Sequence, residues 1–255
     1  MGRWTTASEK GAWFSHNNPV QNELAAVDAY LAKAEGKVVE VTPEGVVLDR
    51  TCFYARGGGQ PGDIGLLRFD GGVVEVIDTI RSQGRILHLL GDGSRPEPGM
   101  PVEGEIDWAR RYLLMRTHTA LHALSGVVWH DFGAKVTGGN MEPGEARMDF
   151  ELDAMSVEFG KMVEATLNAE LVKGYPAEIV FLSRETALSD PDLIRTKVNL
   201  IPDYVNEIRV VDIVGLDKQA DGGTHVRSTL EVGTVEVVKT ESKGRSNKRM
   251  KIRLT

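Results

Sequence analysis

Cysteine is nearly missing from this 255-residue chain: Cys52 is the only one. No disulfide can form within it, and the setting this suggests is a reducing one, the cytoplasm. Cys52 sits in the apolar triplet Cys52, Phe53, Tyr54, where a small buried residue is expected rather than a reactive thiol. Long hydrophobic runs are missing too. No stretch approaches the ~20 apolar residues needed to cross a bilayer, and Met1 to Lys10 carry no signal-peptide core, so no membrane partner is expected. Cations are in deficit, 30 Lys and Arg against 37 Asp and Glu for a net charge of −7, which argues against a general nucleic-acid coat protein.

What is present is the composition of a folded domain or two, 41% hydrophobic and 26% charged. The first ~20 residues read as a loose arm, and Glu23 to Lys37 as either a helix or the lead into a strand. Short β-type runs follow at 37–42, 45–49, 73–78, 85–89 and 102–106, punctuated by Gly and Pro, which predicts a small β-barrel ending near residue 106. His88 lies in one of these runs and is read as structural. From Asp107 the pattern becomes a long apolar helix to about Trp129, with Arg110, Arg111 and Arg116 in its first turns. These arginines either contact phosphate or form salt bridges to the barrel. A strand at 146–150, a helix from Ser156 to Lys173 and strands at 177–182, 208–213, 231–238 and 250–254 complete the pattern. The fold class predicted is α+β: an N-terminal arm and barrel over 1–106, then a domain over 107–255 with a largely antiparallel sheet packed on long helices.

Three patterns carry chemistry. The stretch Gly57, Gly58, Gly59, Gln60, Pro61, Gly62, Asp63 matches G-x-G-x-x-G literally. Pro61 and the strand-like Ile64 to Leu67 stand where a dinucleotide site needs a helix to begin, and no G-K-[ST] follows, so no nucleotide cofactor is expected. The glycines instead permit close approach of another backbone or a ligand. His118 and His122, spaced i and i+4, share one helix face and, with His225, could hold Zn²⁺; the alternative is ordinary helix histidines. Finally Lys239, Lys243, Arg245, Lys248, Arg249, Lys251 and Arg253 face one acid, Glu241, between 239 and 253. That cluster is either a polyanion contact or a solvated edge hairpin.

Taken in order, Gly57–Asp63, Met115–Leu124, Arg195–Pro202, Asp221–Val226, Glu231–Gly233 and Lys243–Arg249 resemble the freestanding alanyl-tRNA editing proteins of the AlaX type, in their medium-length form, and the editing domain of alanyl-tRNA synthetase. The resemblance runs from Asp28 to the C-terminus. It implies a zinc site of pattern H-x-x-x-H plus C-x-x-x-H, onto which His118, His122 and His225 map. Asp221 stands at the cysteine position, either as a carboxylate ligand or as a group bordering the metal.

The activity implied is hydrolysis of mischarged tRNA, seryl-tRNA or glycyl-tRNA on the alanine tRNA, with a zinc-bound water. Asp221 and Thr224 are the catalytic candidates. The backbone N–H groups of Gly222, Gly223 and Thr224 are oxyanion candidates, and Thr117, Thr119 or Thr137 could meet the serine hydroxyl. Arg116, Lys197, Asn199, Lys243, Arg245, Lys248 and Arg249 are the candidates for holding the acceptor end of aminoacylated tRNA. A zinc protease is disfavoured because Thr119 follows His118 where H-E-x-x-H needs glutamate. The other alternative is a tRNA-binding module without turnover.

Overall fold

Alternation with period two closes the first half of the chain into a barrel. The computed structural model describes residues 22–190, 193 and 207–255; the N-terminal arm, Lys197 and Asn199 lie outside the described residues. Two short strands, β1 (Asn22–Glu23) and β4 (Arg50–Thr51), pair in parallel. Between them a 3-10 turn over Leu24–Ala26 leads to β2 (Lys33–Val41), so the ambiguous 23–37 segment resolves as the approach to a strand. The barrel consists of β2, β3 (Gly45–Leu48), β5 (Gly65–Phe69), β6 (Gly72–Ser82), β7 (Arg85–Leu90) and β8 (Pro101–Ile106). It closes in the order β2-β3-β7-β6-β5-β8, with every pairing antiparallel. On β6, Val74 and Val76 are buried while Glu75 and Ile77 are exposed. Val38, Val46, Leu48, Phe53, Leu67, Val102 and Ile106 join them in one core, together with Cys52. Burial pushes the Cys52 thiol up to about 12, which removes it from thiolate chemistry.

His88 belongs to this core and is fully buried. Its Nδ1 donates to the Val46 carbonyl (3.1 Å), and its Nε2 accepts from the Thr51 hydroxyl (2.8 Å). The neutral ring is thus satisfied at both nitrogens, and burial lowers its pKa to about 4 from 6.5. Between those values the unfolded chain binds a proton that the folded chain refuses, so stability is full above pH 6.5 and falls as pH drops toward 4. The expected loss is about 3 kcal/mol over that interval. Urea unfolding of wild type and His88→Gln at several pH values isolates it: the wild-type curve should fall more steeply between pH 6.5 and 4.5, and parallel curves would remove His88 as the cause.

The long helix, α1 (Trp108–Phe132), starts where Asp107 Oδ1 accepts the Arg110 amide (3.0 Å). Apolar residues nearly surround its middle, and Leu114, Met115, Leu121, Leu124 and Val128 are buried. Of the two fates open to its arginines, Arg111 takes the salt bridge: fully buried, it pairs with Asp63 of the glycine-rich stretch. The chain divides into two compact units, Met1–Gly57 with Pro61–Tyr112, and Gly58–Gln60 with Leu113–Thr255.

In the second unit β9 (Val136–Glu142), β10 (Glu145–Phe150), β14 (Val235–Ser242) and β15 (Lys248–Leu254) form a four-stranded sheet in the order β14-β15-β10-β9. β11 (Ala177–Ser183), β12 (Glu207–Ile213) and β13 (Asp217–Ala220) form another. Both are antiparallel. Ser156 Oγ caps α2 (Val157–Leu171) by accepting from Phe159 N at 3.1 Å, and α3 (Arg184–Ser189) has six residues. The fold is α+β, a six-strand barrel followed by further sheets with few helices. The single sheet expected is two, because α2 separates β10 from a run of strands that pairs locally with itself. The strand expected at 231–238 also begins later. Ser228 Oγ accepts from Leu230 N (3.3 Å) and starts a 3-10 turn over Thr229–Val232, and Gly233, at φ 78°, ends it before β14.

Candidate metal centre

Helical spacing brings His118 and His122 to one face of α1, their ring centres 5.2 Å apart. The turn after β13 brings His225 against both, at 4.3 and 4.6 Å. Asp221 completes the group, and one ligand atom from each of the four lies within 4.8 Å of all the others. The histidines are buried, while the Asp221 side chain keeps 14% exposure.

Hydrogen bonds to Nδ1 aim the rings. His122 Nδ1 lies 3.0 Å from the buried Asp217 carboxylate, which must accept. His118 Nδ1 lies 3.0 Å from Gln60 Oε1. That same atom accepts from the Thr224 backbone N–H (3.0 Å), which identifies it as the amide oxygen and gives His118 Nδ1 the proton. His225 Nδ1 meets Thr119 Oγ1 at 3.2 Å. With Nδ1 as the donor, the neutral forms of His118 and His122 carry their lone pair on Nε2, the form a metal requires, and partners of this kind are what orient metal-binding histidines.

Burial pushes His118 down to about 4 and His225 well below its usual range, so both rings are neutral at pH 7. Burial opposes the charge of Asp221 too, but the surrounding imidazoles and the His225 hydrogen bond outweigh it and hold the carboxyl well below the usual range. For His122 burial is likewise outweighed, here by Asp217, and its pKa is raised. The Asp221 oxygens stand 3.2 Å from His225 Nε2 and 3.7 Å from His118 Nε2. Those separations bracket the ligand–ligand edge of a tetrahedron with bonds near 2.1 Å, about 3.4 Å. Three imidazoles and a carboxylate are donors of the kind zinc takes, and this group could hold a metal.

The intervening turn is shaped by the same contacts. Asp221 Oδ2 accepts from Gly223 N at 2.6 Å, and the buried Arg209 donates to the Asp221 carbonyl at 2.7 Å. A β-carbon at Gly223 would collide with the His118 ring. The Gly223 and Thr224 amides are thus committed within the fold and are not free for an oxyanion. Thr224 is fully buried and its Oγ1 accepts from Gln60 Nε2 at 2.9 Å. The three threonines considered for a serine hydroxyl are engaged as well: Thr117 with Leu113 O, Thr119 with His225, and Thr137 with Asn247.

Other expected residues fall elsewhere. In the glycine-rich stretch, Gly58, Gly59 and Gln60 belong to the unit that carries the histidine trio, whereas Gly57, Gly62 and Asp63 belong to the barrel unit. Gly59, at φ 84°, passes so close to β9 that a β-carbon would sit 3.0 Å from Gly139 O. Arg116 donates to the Val232 carbonyl (2.8 Å). Lys248 is buried and donates to Gly244 O and Arg245 O (2.7 and 3.1 Å), and Arg249 is held by Asp149 (2.6 and 2.8 Å). Lys243 and Arg245 are exposed in the β14–β15 hairpin loop. Sequence reasoning missed Asp217, Arg209 and the polar partnership of Gln60, none of which has a local signature.

Residues 6–110 match the family model of class II tRNA synthetases (A), and residues 208–251 match the second additional domain of threonyl and alanyl tRNA synthetases. The chain is 37% identical to an alanyl-tRNA editing protein AlaX-M of Saccharolobus solfataricus, over 89% of this chain and 96% of that one. It is 36% identical to another AlaX-M, from Methanosarcina barkeri, with the same coverage. A 35% identical match in the alanine–tRNA ligase of Pyrobaculum arsenaticum covers 88% of this chain but 26% of that enzyme. A buried histidine trio closed by an acid, in a chain aligned with these proteins along nearly its whole length, belongs to the family of AlaX-M alanyl-tRNA editing proteins.

Proposed function

We propose that the chain is a trans-editing hydrolase that removes serine, and glycine as a second error, from mischarged alanine tRNA. The observation that carries this is the buried quartet His118, His122, His225 and Asp221. As a member of the editing family the chain is an aminoacyl-tRNA deacylase. Zinc held by the three imidazoles, with Asp221 ligating or bordering it, would supply a Lewis acid able to polarise the ester carbonyl and lower the pKa of water.

The remaining steps belong to the chain. The ionised Asp221 borders the reacting water and accepts its proton as water oxygen bonds to the acyl carbon. The bond from that carbon to the 3′ ribose oxygen then breaks, and the proton passes to the ribose oxygen, leaving free amino acid and tRNA. Thr224 positions Gln60, and Gln60 positions His118. Gln60 Nε2 has a second hydrogen beyond the one given to Thr224, and we assign it to the serine hydroxyl. Alanine would leave that donor unpaired.

Lys243 and Arg245 contact phosphates, and Arg116, Lys248 and Arg249 shape the surfaces beside them. Lys197 and Asn199 are further candidates for holding the acceptor end. On this reading residues 107–255 are the zinc-binding editing domain and 1–106 the arm and barrel. Aminoacylated tRNA is the partner, no nucleotide cofactor takes part, and the cytoplasm is the place of work. No helix among the described residues is long and apolar enough to cross a membrane.

The test uses seryl-tRNA and alanyl-tRNA prepared on the same alanine tRNA, with and without a chelator. Serine should be released in preference to alanine, and the chelator should abolish release. Release of neither overturns the proposal, and binding without release favours a tRNA-binding module.

A further inference from the structure

The outward face of the four-stranded sheet carries its charges in rows, one residue per strand. In the row nearest the hairpin loop Asp149 and Glu241 flank Arg249. In the third row Glu145 and Glu236 flank Arg253. Acid alternates with base in both. The row between departs from this: Arg147, Lys251 and Lys239 stand directly opposite one another on β10, β15 and β14. Like charges facing each other across strands are destabilising.

The alignment depends on an irregularity. β14 carries a register shift between Val237 and Lys239, and this bulge makes Lys239, rather than Val238, the residue opposite Lys251. Bulges re-aim side chains in this way. The row is also short of counter-charge. Glu241 alone serves Lys239, Lys243 (3.4 Å) and Lys251 (3.8 Å), while Arg147 reaches along its own strand to Asp149 (3.3 Å), which already holds Arg249. Glu241 is pushed down to about 2 by its lysines. Adding the exposed Arg245 makes six cations against two acids here, on a chain of net charge −7.

The row points toward the site. Beyond Arg147 it continues to Asn140 on β9. The far edge of β9 carries the Gly58–Gln60 segment, where Met141 N donates to Gly59 O (3.1 Å) and the next residue, Gln60, touches His118. From Lys239 to Asn140 is three strand spacings, about 14 Å.

We propose that this face is a phosphate track, with Arg147, Lys239 and Lys251 as its phosphate-binding residues, along which the substrate's RNA backbone is led to the edge of the metal site. The substrate rests on the editing reading; the polyanion does not. RNA supplies what the row lacks, closely spaced negative charge able to meet three adjacent cations at once.

The test is the variant Arg147→Gln/Lys239→Gln/Lys251→Gln in the full chain. Binding of uncharged tRNA is measured against salt concentration. Because the variant leaves two to three phosphates without a cation, the log–log slope should become shallower by about 2 to 3, and affinity at 0.15 M salt should fall about 30-fold or more. Without RNA the thermal midpoint should hold or rise, since facing charges have been removed. An unchanged slope overturns the proposal, and so does a loss of binding accompanied by a lowered midpoint, which would make the row structural. Release of serine from a seryl-trinucleotide too short to span the sheet should be equal in wild type and variant; slower release by the variant would put the row in the reaction site and overturn the track. Failure of wild type to deacylate any substrate defeats the editing reading, while the slope comparison still decides the track.

Discussion

Asp63→Ala should remove about 3–5 kcal/mol of stability, a large share of what a protein of this kind has. The reason is Arg111, whose guanidinium has no exposure. Its Nε donates to both Asp63 oxygens at 3.0 Å, its Nη2 contacts Asp63 closely and donates to Cys52 O at 2.8 Å, and its Nη1 donates to Ala29 O at 2.9 Å. Asp63 also accepts the Tyr54 amide at 2.7 Å. Loss of the carboxylate strands a full positive charge away from water and leaves the donors on Nε and Nη2 that met Asp63 unmatched. Removing both partners is a different experiment. Arg111→Met with Asp63→Leu takes away the charge together with its counter-charge and should recover most of the loss, because a buried ion pair gains little over packed apolar groups. Urea unfolding of both single variants and the double one measures the coupling. If Asp63→Ala lost under about 1 kcal/mol, or the double variant were no better than the single, water must be reaching the guanidinium.

That ion pair also marks where sequence reading stops. A run of glycines ending in Asp63 announces close approach and nothing of what is approached. Arg111 looks like one of three helix-start arginines until the fold buries it and leaves Arg116 half-buried against a carbonyl. Periodicity is a local property, and the features it governs were legible: the alternating barrel strands, the apolar α1 and the i, i+4 placement of His118 and His122. His225 lies over a hundred residues from them, so no spacing ties it to the pair: the sequence offers it as a distant third imidazole, and the resemblance maps it onto the site. Asp217 and Gln60 orient two of the rings from separate parts of the chain, and a tertiary partner of that kind leaves no spacing to detect. Charge misleads in the same way. Lys248 counts as a surface cation in any tally, yet its ammonium is spent on two loop carbonyls. Lys239 gains its position opposite Lys251 from a bulge that composition does not reveal.

His122→Ala should abolish zinc binding at micromolar metal, and with it deacylation. Asp217→Asn sets the scale: weakening an outer partner of a metal-bound histidine costs about 10–100-fold in metal affinity. His122→Ala removes the ligand itself and takes one partner from the buried Asp217 carboxylate, which Gln219 also holds (2.8 and 3.1 Å), so its loss must exceed that range. Asp221 is the sharper case, because the resemblance puts a thiolate at its position. If its carboxylate is a ligand, Asp221→Ala should lose zinc affinity beyond the same range, and Asp221→Cys should restore it, since a thiolate at about 2.3 Å is an established zinc donor. Deacylation by Asp221→Cys should then stay within about tenfold of wild type, a thiolate also being able to take a proton beside the metal. Zinc affinity is read by chelator competition, separately from turnover. Should Asp221→Ala keep full zinc affinity while turnover drops by the 10²–10⁴ typical of a lost general base, Asp221 borders the metal and does not bind it. The 3.2 and 3.7 Å separations from His225 and His118 Nε2 and the anchoring of its loop by Arg209 and Gly223 favour the first outcome, because a carboxylate so held already stands where a ligand must.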